Sequence, residues 1–459
     1  MKKIFFCLAI ICAISVSAAA ENCNGEFTTE TRISFQDLDY LANELKGRLS
    51  FEGSIEENLF GRISLNLRYL NSPLSLALTD SLLLPSELSL STALGPFELG
   101  LAEAYFVYYN FILEGLDLAF GKQRLAWGVS DLSNPTDVLN PLDLSNPLSL
   151  GDKIPSISLA LTYTIPQTEI YFCLILQPYA GLARLNPLFI QKMEASLKKP
   201  PLITGVNPQA GEVKIPAKEL TSGNLGLRIG FSLWGFQGAL SYVNRISDLP
   251  LISSVEVAGG PGNPVTAYKL SYYRENVVGL ELAKDWEIFI TKAEAALFFQ
   301  PEQLTETNIA GLPTSYTVAI ASDPYLKFSI GLEKDFAFGL YINLQYLHGF
   351  DGERGTSGLV RLQDYLSLHL KYSFLNDTLS LSLSGLLNLN NLAELFSSAY
   401  PADYFKEHSG FSIQAELEYK PILSLGLKLG CIFFEGQNDS QLAPLKDYDH
   451  FYLSATFYF

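Results

Sequence analysis

Alternation of apolar and polar side chains, repeated over most of the chain, is the feature that most restricts its possible folds. In the stretch 366–372, leucine or tyrosine occupies every even position and serine, histidine or lysine every odd one. Side chains that alternate with a period of two point to opposite faces of a β-strand. Similar stretches recur from residue 61 to residue 459, so we expect an all-β protein whose strands each have one apolar and one polar face.

The connections between these stretches favour a membrane barrel over a two-sheet sandwich, which would also bury alternating faces. Very short joins, as at 234–235, 334–336 and 420–421, alternate with long polar segments such as 178–221 and 248–264. The strands span roughly 10 to 13 residues, near the length that crosses a bilayer when tilted, and aromatic residues gather at their ends. We predict a transmembrane antiparallel up-and-down β-barrel of about 18 strands, with 16 as the alternative, short periplasmic turns and long extracellular loops.

The N-terminus has the pattern of a cleaved secretory signal. Lys2 and Lys3 precede an apolar run over residues 4–16, and small residues follow at 17–20. This run is shorter than the roughly 20 residues of a membrane-spanning helix. We expect residues 1–20 to be a signal peptide and residues 21–459 to form a single barrel domain.

Composition argues against several classes of function. Acidic residues outnumber basic ones by 48 to 31, so nucleic acid is not an expected partner. After residue 20, no run of roughly 18 apolar residues is present to form a transmembrane helix. Cys23, Cys173 and Cys431 are too few and too scattered for a disulfide framework, and strand phase turns the last two to opposite faces. We expect free thiols.

The final nine residues also alternate, from Phe451 to Phe459. They resemble the C-terminal strand of Gram-negative outer-membrane barrels, in which a terminal aromatic residue and apolar residues at alternate positions are recognised by the barrel-assembly machinery. The resemblance implies that Phe457 and Phe459 act as an assembly signal. It also implies an outer-membrane location in a Gram-negative-type bacterium after signal cleavage, with outer-membrane lipid, the assembly machinery and periplasmic chaperones as partners.

One local motif stands out, and it begins in the predicted fourth strand. The run Gly121-Lys122-Gln123-Arg124-Leu125-Ala126-Trp127-Gly128 is followed by Asn134-Pro135-Thr136-Asp137 and Asn140-Pro141-Leu142-Asp143. About 30 residues here resemble a porin-like family, the outer-membrane barrels of the alginate-export type and related barrels of unknown function. The resemblance implies a porin-like barrel and does not transfer a substrate.

The segment after this strand is predicted to be a structured loop. Asn134 and Asn140 would cap short helical turns, with Asp137 and Asp143 at the third position, and a further Asn-Pro pair begins at Asn146. A rigid loop on the barrel rim is one interpretation. The other is a constriction loop, including Trp127, that folds into the mouth and narrows the pore.

The strand before this loop leaves a question of phase. Lys122 and Arg124 share the phase of Leu118 and Phe120, so either a bulge at Gly121 turns them inward or they sit at the membrane interface.

The polar faces of the strands supply the candidate pore-lining residues, whose charges are mixed in sign. Four histidines lie apart without metal-ligand spacing, and no catalytic or nucleotide-binding motif is present, so we expect no metal, no cofactor and no enzymatic activity. The candidates are Arg48, Arg62, Arg68, Arg228, Lys327, Glu333, Glu416 and Lys428.

Together these features favour a porin-like channel through which small solutes or ions diffuse passively or with weak selectivity. A barrel of roughly 16 to 18 strands leaves an aqueous lumen, unlike a barrel of about eight, which its own side chains fill. The sequence is also compatible with a homo-oligomer. The alternative function is a barrel scaffold whose long loops act as an adhesin or receptor, or carry an enzyme site at the rim.

Overall fold

The structure is a computed structural model, and it describes eleven ranges of the chain and one single residue. The expected signal peptide at residues 1–20 and the Asn-Pro pair at Asn146 lie outside the described residues. The described residues are 22–36, 38–71, 91–94, 97–144, 152–184, 207–258, 265–309, 311–355, 361–389, 409–437, 440 and 442–459.

Within these ranges the chain forms twenty-four β-strands and two short 3-10 helices, at Leu220–Ser222 and Ala443–Leu445. No helix in the described part of the chain is long and apolar enough to cross a membrane. In chain order the strands are β1 Asn22–Ser34, β2 Tyr40–Glu56, β3 Leu59–Asn71, β4 Ser91–Leu94, β5 Phe97–Tyr108, β6 Leu116–Gln123, β7 Ser156–Thr164, β8 Ile170–Gln177, β9 Asn207–Val213, β10 Asn224–Leu233, β11 Phe236–Ile246, β12 Leu251–Ala258, β13 Val265–Ser271, β14 Arg274–Asp285, β15 Ile290–Phe299, β16 Gln303–Ile309, β17 Ser315–Ile320, β18 Tyr325–Asp335, β19 Leu340–His348, β20 Asp364–Phe374, β21 Leu379–Leu389, β22 Ser409–Ile422, β23 Leu425–Gly436 and β24 His450–Tyr458.

Eighteen of these strands form one closed antiparallel barrel. Each pairs with the next barrel strand along the chain, and the last, β24, pairs with β1 from Glu26 opposite Tyr458 to Ser34 opposite His450. Closure removes the exposed edges of the sheet. The prediction of an up-and-down barrel with 18 strands is therefore confirmed, and the alternative of 16 is wrong.

The alternation in the sequence becomes an apolar outside and a polar lumen. On β21, Leu381 and Leu383 are exposed on the outer face, whereas Ser382 lies on the inner face between Lys371 of β20 and Glu416 of β22. The free thiols obey the same rule. Cys173 faces inward, where the Thr162 hydroxyl donates to its sulfur, and Cys431 lies opposite outward-facing Phe451.

The outer face carries an apolar belt with polar side chains at both borders. On the side of the short turns, the Lys284 ammonium lies 4.1 Å from the ring centre of Phe236 and 4.2 Å from that of Trp286. On the side of the long loops, the Tyr242 hydroxyl donates to Asn276 over 2.8 Å. Asn276 and Lys284 are eight positions apart on a tilted strand, which gives a belt about 20 Å high, close to the apolar band of membrane barrels.

A second sheet lies on the side of the long loops, and the sequence did not predict it. It orders as β17, β16, β12, β13 and β9, and it includes parallel pairs between β12 and β16 and between β13 and β9. These strands belong to three different connections of the barrel. Their pairing therefore joins segments that were expected to be separate irregular loops.

One predicted turn is also placed differently. The sequence suggested a tight join at Lys420 and Pro421, but β22 continues to Ile422 and the turn falls at Leu423 and Ser424. Proline cannot donate a ladder hydrogen bond, and the register of β22 against β23 shifts between Tyr419 and Ile422. Pro421 thus makes an irregularity within the strand pair and does not end it.

Candidate functional site in the lumen

The chain enters the lumen directly after β6, and Gly121 changes the phase of that strand. Phe120 is exposed on the outer face, but Lys122, two residues later, is buried inside. Gly121 has a φ of +136°, and a Cβ at this position would lie 2.2 Å from the carbonyl oxygen of Ala104. Only glycine adopts this conformation at low cost. Of the two possibilities left open by the sequence, Lys122 and Arg124 are therefore turned inward, although neither strand ladder shifts register at Gly121.

The segment that follows, residues 124–144, is called here the inserted loop. Trp127 and Leu139 are buried in a cluster with the inward-facing side chains of Ile175, Val243 and Ala296, among others. Arg228 of β10 places its guanidinium 5.7 Å from the ring centre of Trp127. These contacts run to the inner wall of the barrel, so the inserted loop lies inside the lumen and not on the rim.

Polar contacts hold the loop against the same wall. Asp131 accepts from Lys292 over 2.9 Å and from Asn343 over 2.7 Å. The Arg245 guanidinium donates to the backbone carbonyl of Val138 over 2.7 Å. These partners lie on β11, β15 and β19, and Ile175 of the apolar cluster lies on β8. The loop therefore covers the wall that runs from β8 to β19.

The Asn-Pro-x-Asp repeats do not form the predicted capped helical turns in the described part of the loop. One turn is present, in which the Asp137 amide donates to the Asn134 carbonyl over 3.0 Å. Asn140 does not cap its own segment, because its side-chain oxygen accepts from the Leu125 amide over 2.7 Å. Arg124 pairs with the Asp137 carboxylate. The prediction of capped helical turns is wrong because the side chains of Asn140 and Asp137 bind Leu125 and Arg124 at the start of the loop, and so do not cap the segments that they begin or belong to.

The C-terminal end of the inserted loop, residues 142–143, contacts other connections of the barrel and the segment 152–184. The Leu142 amide donates to Asp248 over 2.9 Å, and the Asp143 carboxylate lies 3.6 Å from the Arg184 guanidinium. Arg184 also forms an ion pair with Glu98 of β5. Asp143 is thus part of an ionic contact that joins the inserted loop to the opposite side of the barrel.

A second inward segment, residues 349–355, fills the lumen near the long-loop end. Lys327 donates to the carbonyl of Phe350 over 2.9 Å, and the Arg354 guanidinium donates to the carbonyls of Leu249 and Pro250. Glu353 is buried and accepts from the hydroxyl of Tyr365. Burial raises the pKa of the Glu353 carboxyl, and this hydrogen bond opposes the rise. No pattern in the sequence indicated that this segment would turn inward.

An open cavity of about 830 Å³ remains on the other side of the inserted loop, against β1 to β7. Of the residues that the structure describes, eight basic and five acidic side chains line it, so this part of the lining has an excess of three positive charges. The basic residues are Lys46, Arg48, Arg68, Lys122, Arg124, Lys153, Arg184 and Lys218, and the acidic ones are Glu26, Glu98, Glu103, Asp143 and Asp152.

The predicted pore-lining residues fall into three places, although all point inward. Arg48 and Arg68 line the cavity. Arg62 lies 3.4 Å from both Glu52 and Glu103, and on other parts of the wall Glu333 pairs with Lys292 and Glu416 with Lys428. Arg228 and Lys327 contact the inserted segments instead of open space.

Several cavity residues were not singled out from the sequence. Lys122 was noted without a definite phase, and Arg184 lies in a segment that was taken as an ordinary loop. In the part of the chain that the structure describes, no three histidine, cysteine, aspartate or glutamate side chains come together as a metal site.

Comparison with known proteins gives similarity at the level of solved structures. No protein-family model matches the chain. No curated protein matches it either. The barrel is similar to OpdK from Pseudomonas aeruginosa, solved with vanillate, at 11% identity and a TM-score of 0.48, covering 96% of this chain and 99% of that one. OccK11 (OpdR) from the same organism gives 11% identity and a TM-score of 0.47, covering 95% of each chain. Wzi from Escherichia coli, an outer-membrane protein described as a carbohydrate-binding β-barrel, gives 11% identity and a TM-score of 0.46, covering 97% of this chain and 86% of that one.

Proposed function

We propose that this chain is an outer-membrane, porin-like channel for small solutes or ions, with diffusion as its mechanism and no enzymatic activity. The observation that carries the proposal is the cavity of about 830 Å³ within a closed 18-stranded barrel. A barrel of this size leaves an aqueous lumen unless something fills it. Here the inserted loop fills one side and leaves the other side open.

The charge of the cavity supports a weak preference for anions. The described part of its lining carries three more positive than negative groups. Charges in a narrow, water-filled passage with low-dielectric walls act strongly on passing ions. Part of this excess is compensated, because Arg124 pairs with Asp137, whose carboxylate is not among the lining residues. The preference is therefore expected to be modest.

The membrane setting is part of the same proposal. The apolar belt between Asn276 and Lys284 supports insertion in an outer membrane, after removal of residues 1–20 as a signal peptide. The assembly machinery, periplasmic chaperones and lipid are the proposed partners in biogenesis. The segment from Gly121 to Asp143 supports a relationship to the alginate-export-like barrels, and it is the segment that shapes the lumen.

The decisive experiment is conductance of the refolded mature protein in a planar bilayer. We expect discrete single-channel steps, and a reversal potential under a KCl gradient whose sign corresponds to a modest excess of chloride over potassium permeability. A barrel that inserts but passes no current contradicts the channel proposal. A cation-selective current contradicts only the charge preference.

A second function is favoured by the sheet on the long-loop side. Its terminal strand β17 exposes Tyr316 and Val318, and Leu304 of the adjacent strand is exposed beside them. Exposed aromatic and aliphatic side chains on a sheet suit contact with a partner. A barrel scaffold that presents this sheet as a receptor or adhesin is the alternative, and absence of current from a folded barrel would favour it.

A further inference from the structure

Glu294 lies at the centre of the contact between the inserted loop and the barrel wall. It belongs to β15, points into the lumen and is only 3% exposed. It does not line the open cavity. A buried carboxylate is costly unless it is paired or hydrogen-bonded, so its partners show what it does.

Among the residues that the structure describes, every hydrogen-bond donor to this carboxylate belongs to the inserted loop. One oxygen accepts from the backbone amides of Val129, over 2.9 Å, and Ser130, over 3.2 Å. The other accepts from the amide and the hydroxyl of Thr136, both over 2.7 Å. Residues 129–136 form a bend of eight residues, and Glu294 therefore binds both ends of it.

The residues next to this contact leave room for the Glu294 carboxylate and do not compete for its donors. Gly128 has a φ of +99°, and a Cβ there would lie 2.9 Å from a carboxylate oxygen of Glu294. Glu281 stands directly opposite Glu294 in the ladder of β14 and β15, but it forms an ion pair with Arg228. The Thr136 hydroxyl has one proton, and the shorter contact of 2.7 Å against 3.1 Å directs it to Glu294.

We infer that Glu294 is the positioning residue of the inserted loop, and that its carboxylate sets the width of the open passage by fixing where the loop stands. The inference rests on the proposed channel function. Charge-assisted hydrogen bonds to backbone amides are roughly twice as strong as neutral ones, and the three amides lose a buried acceptor if the carboxylate is removed. Other polar contacts also hold the loop, such as those of Asp131 with Lys292 and of the Val138 carbonyl with Arg245. Each of these holds a single loop residue, whereas Glu294 holds Val129, Ser130 and Thr136.

The test uses Glu294→Gln, which keeps the size of the side chain but places an amide donor where a carboxylate oxygen accepts two N–H groups. Thr136→Val removes one donor from the loop side and leaves the wall intact, so it decides the question if the first variant does not fold. Glu416→Gln is the matched control, because Glu416 is an inward, ion-paired carboxylate on the wall away from the loop.

Two measurements are made on the refolded protein. The first is the rate at which Val138→Cys reacts with a water-soluble maleimide, in a background with Cys23, Cys173 and Cys431 changed to serine. Val138 is buried between loop and wall, so its reactivity reports release of the loop. The second is single-channel conductance and its noise.

We expect maleimide labelling to be about tenfold faster with Glu294→Gln, the factor that corresponds to losing one charge-assisted hydrogen bond from the docked state. Thr136→Val should accelerate labelling less, and Glu416→Gln should not change it. Conductance should rise and become noisier with Glu294→Gln, and to a smaller extent with Thr136→Val. Labelling at the parent rate in folded Glu294→Gln overturns the inference, and if that variant does not fold, the same result with Thr136→Val overturns it. A parent that inserts without current overturns the channel proposal, and with it the role of Glu294 in setting the passage.

Discussion

At the scale of single residues, the side of the strand decides how much a charge costs. Leu383, in the middle of β21, is exposed on the outer face, and its neighbour Ser382 faces the lumen between Lys371 and Glu416. The two positions have the same backbone setting and depth. They differ only in what surrounds them, which makes them a matched pair.

We expect Leu383→Arg to lower the free energy of unfolding in lipid by about 2 to 4 kcal/mol, because it places a guanidinium near the middle of the bilayer. Ser382→Arg should cost little, since its side chain reaches water and the Glu416 carboxylate. The measurement is the yield of folded barrel, seen as the shift in gel mobility between unboiled and boiled samples. Equal yields from the two variants would show that the outer face is not in lipid.

The sequence was sufficient to predict these faces, because strand side chains alternate strictly and one face is apolar. It was not sufficient at Gly121, where a single positive φ reverses the phase and brings Lys122 inside. No pattern of side chains encodes that rotation. Only the absence of a Cβ permits it.

At the scale of elements, the inserted loop is ordered by its contacts with the barrel wall, which supplies most of the side chains that it packs against. Its motif was visible in the sequence, but its docking was not, because the contacts join residues far apart in the chain. Val129 and Glu294, for example, are 165 residues apart. Local rules of capping predicted helical turns, and the long-range contacts of Asn140 and Asp137 prevailed over them.

Replacing residues 129–139 with a glycine-serine segment of equal length should remove the docking contacts without straining the connection between β6 and β7. We expect single-channel conductance to rise by at least about twofold, because the lumen of a barrel of this size is wide when nothing fills it. An equal-length glycine-serine replacement of residues 310–314, in the connection between β16 and β17, serves as the control. Unchanged conductance in a folded barrel would mean that the inserted loop does not limit the passage.

At the scale of the whole molecule, the barrel is closed by the pairing of its first strand, β1, with its last, β24. The amide of Gly25 donates to the carbonyl of Phe459 over 2.9 Å, and the amide of Phe459 donates back over 3.0 Å. The Phe459 ring stacks on Phe27 with ring centres 6.0 Å apart. Phe459 thus contributes to closure as well as to the proposed assembly signal, and the two roles can be separated.

Phe459→Ala keeps the backbone pair and removes the ring. We expect refolding into detergent to be nearly normal, because one partly exposed ring contributes little to a ladder of this length. Assembly in cells should fall severalfold if the ring is recognised. The comparison is between folded protein in outer-membrane fractions and refolding yield in vitro, with Phe451→Ala as a control for loss of an outward ring. Parallel losses in both assays would assign Phe459 to closure alone.

The number of barrel strands could be predicted because each short turn marks the end of a hairpin. The sheet of β9, β12, β13, β16 and β17 could not, because its strands belong to different connections and meet only when the barrel has brought them together. Parallel pairs such as β12 with β16 are not joined by a hairpin turn, so no turn signal in the sequence predicts them. Topology at this level follows from closure and not from local pattern.

The cluster of Trp127, Leu139, Ile175 and Val243 is shielded from water by protein, whereas in the proposed membrane setting lipid would cover the outer belt. Burial of apolar surface from water carries a heat capacity, and its driving force weakens on cooling. Attachment of the inserted loop should therefore have a temperature of maximum strength, which the belt in lipid need not share. Cooling the protein would therefore loosen the loop while the barrel stays intact. Ionic current falls on cooling because water becomes more viscous, and a loosened loop would make that fall smaller than viscosity alone predicts.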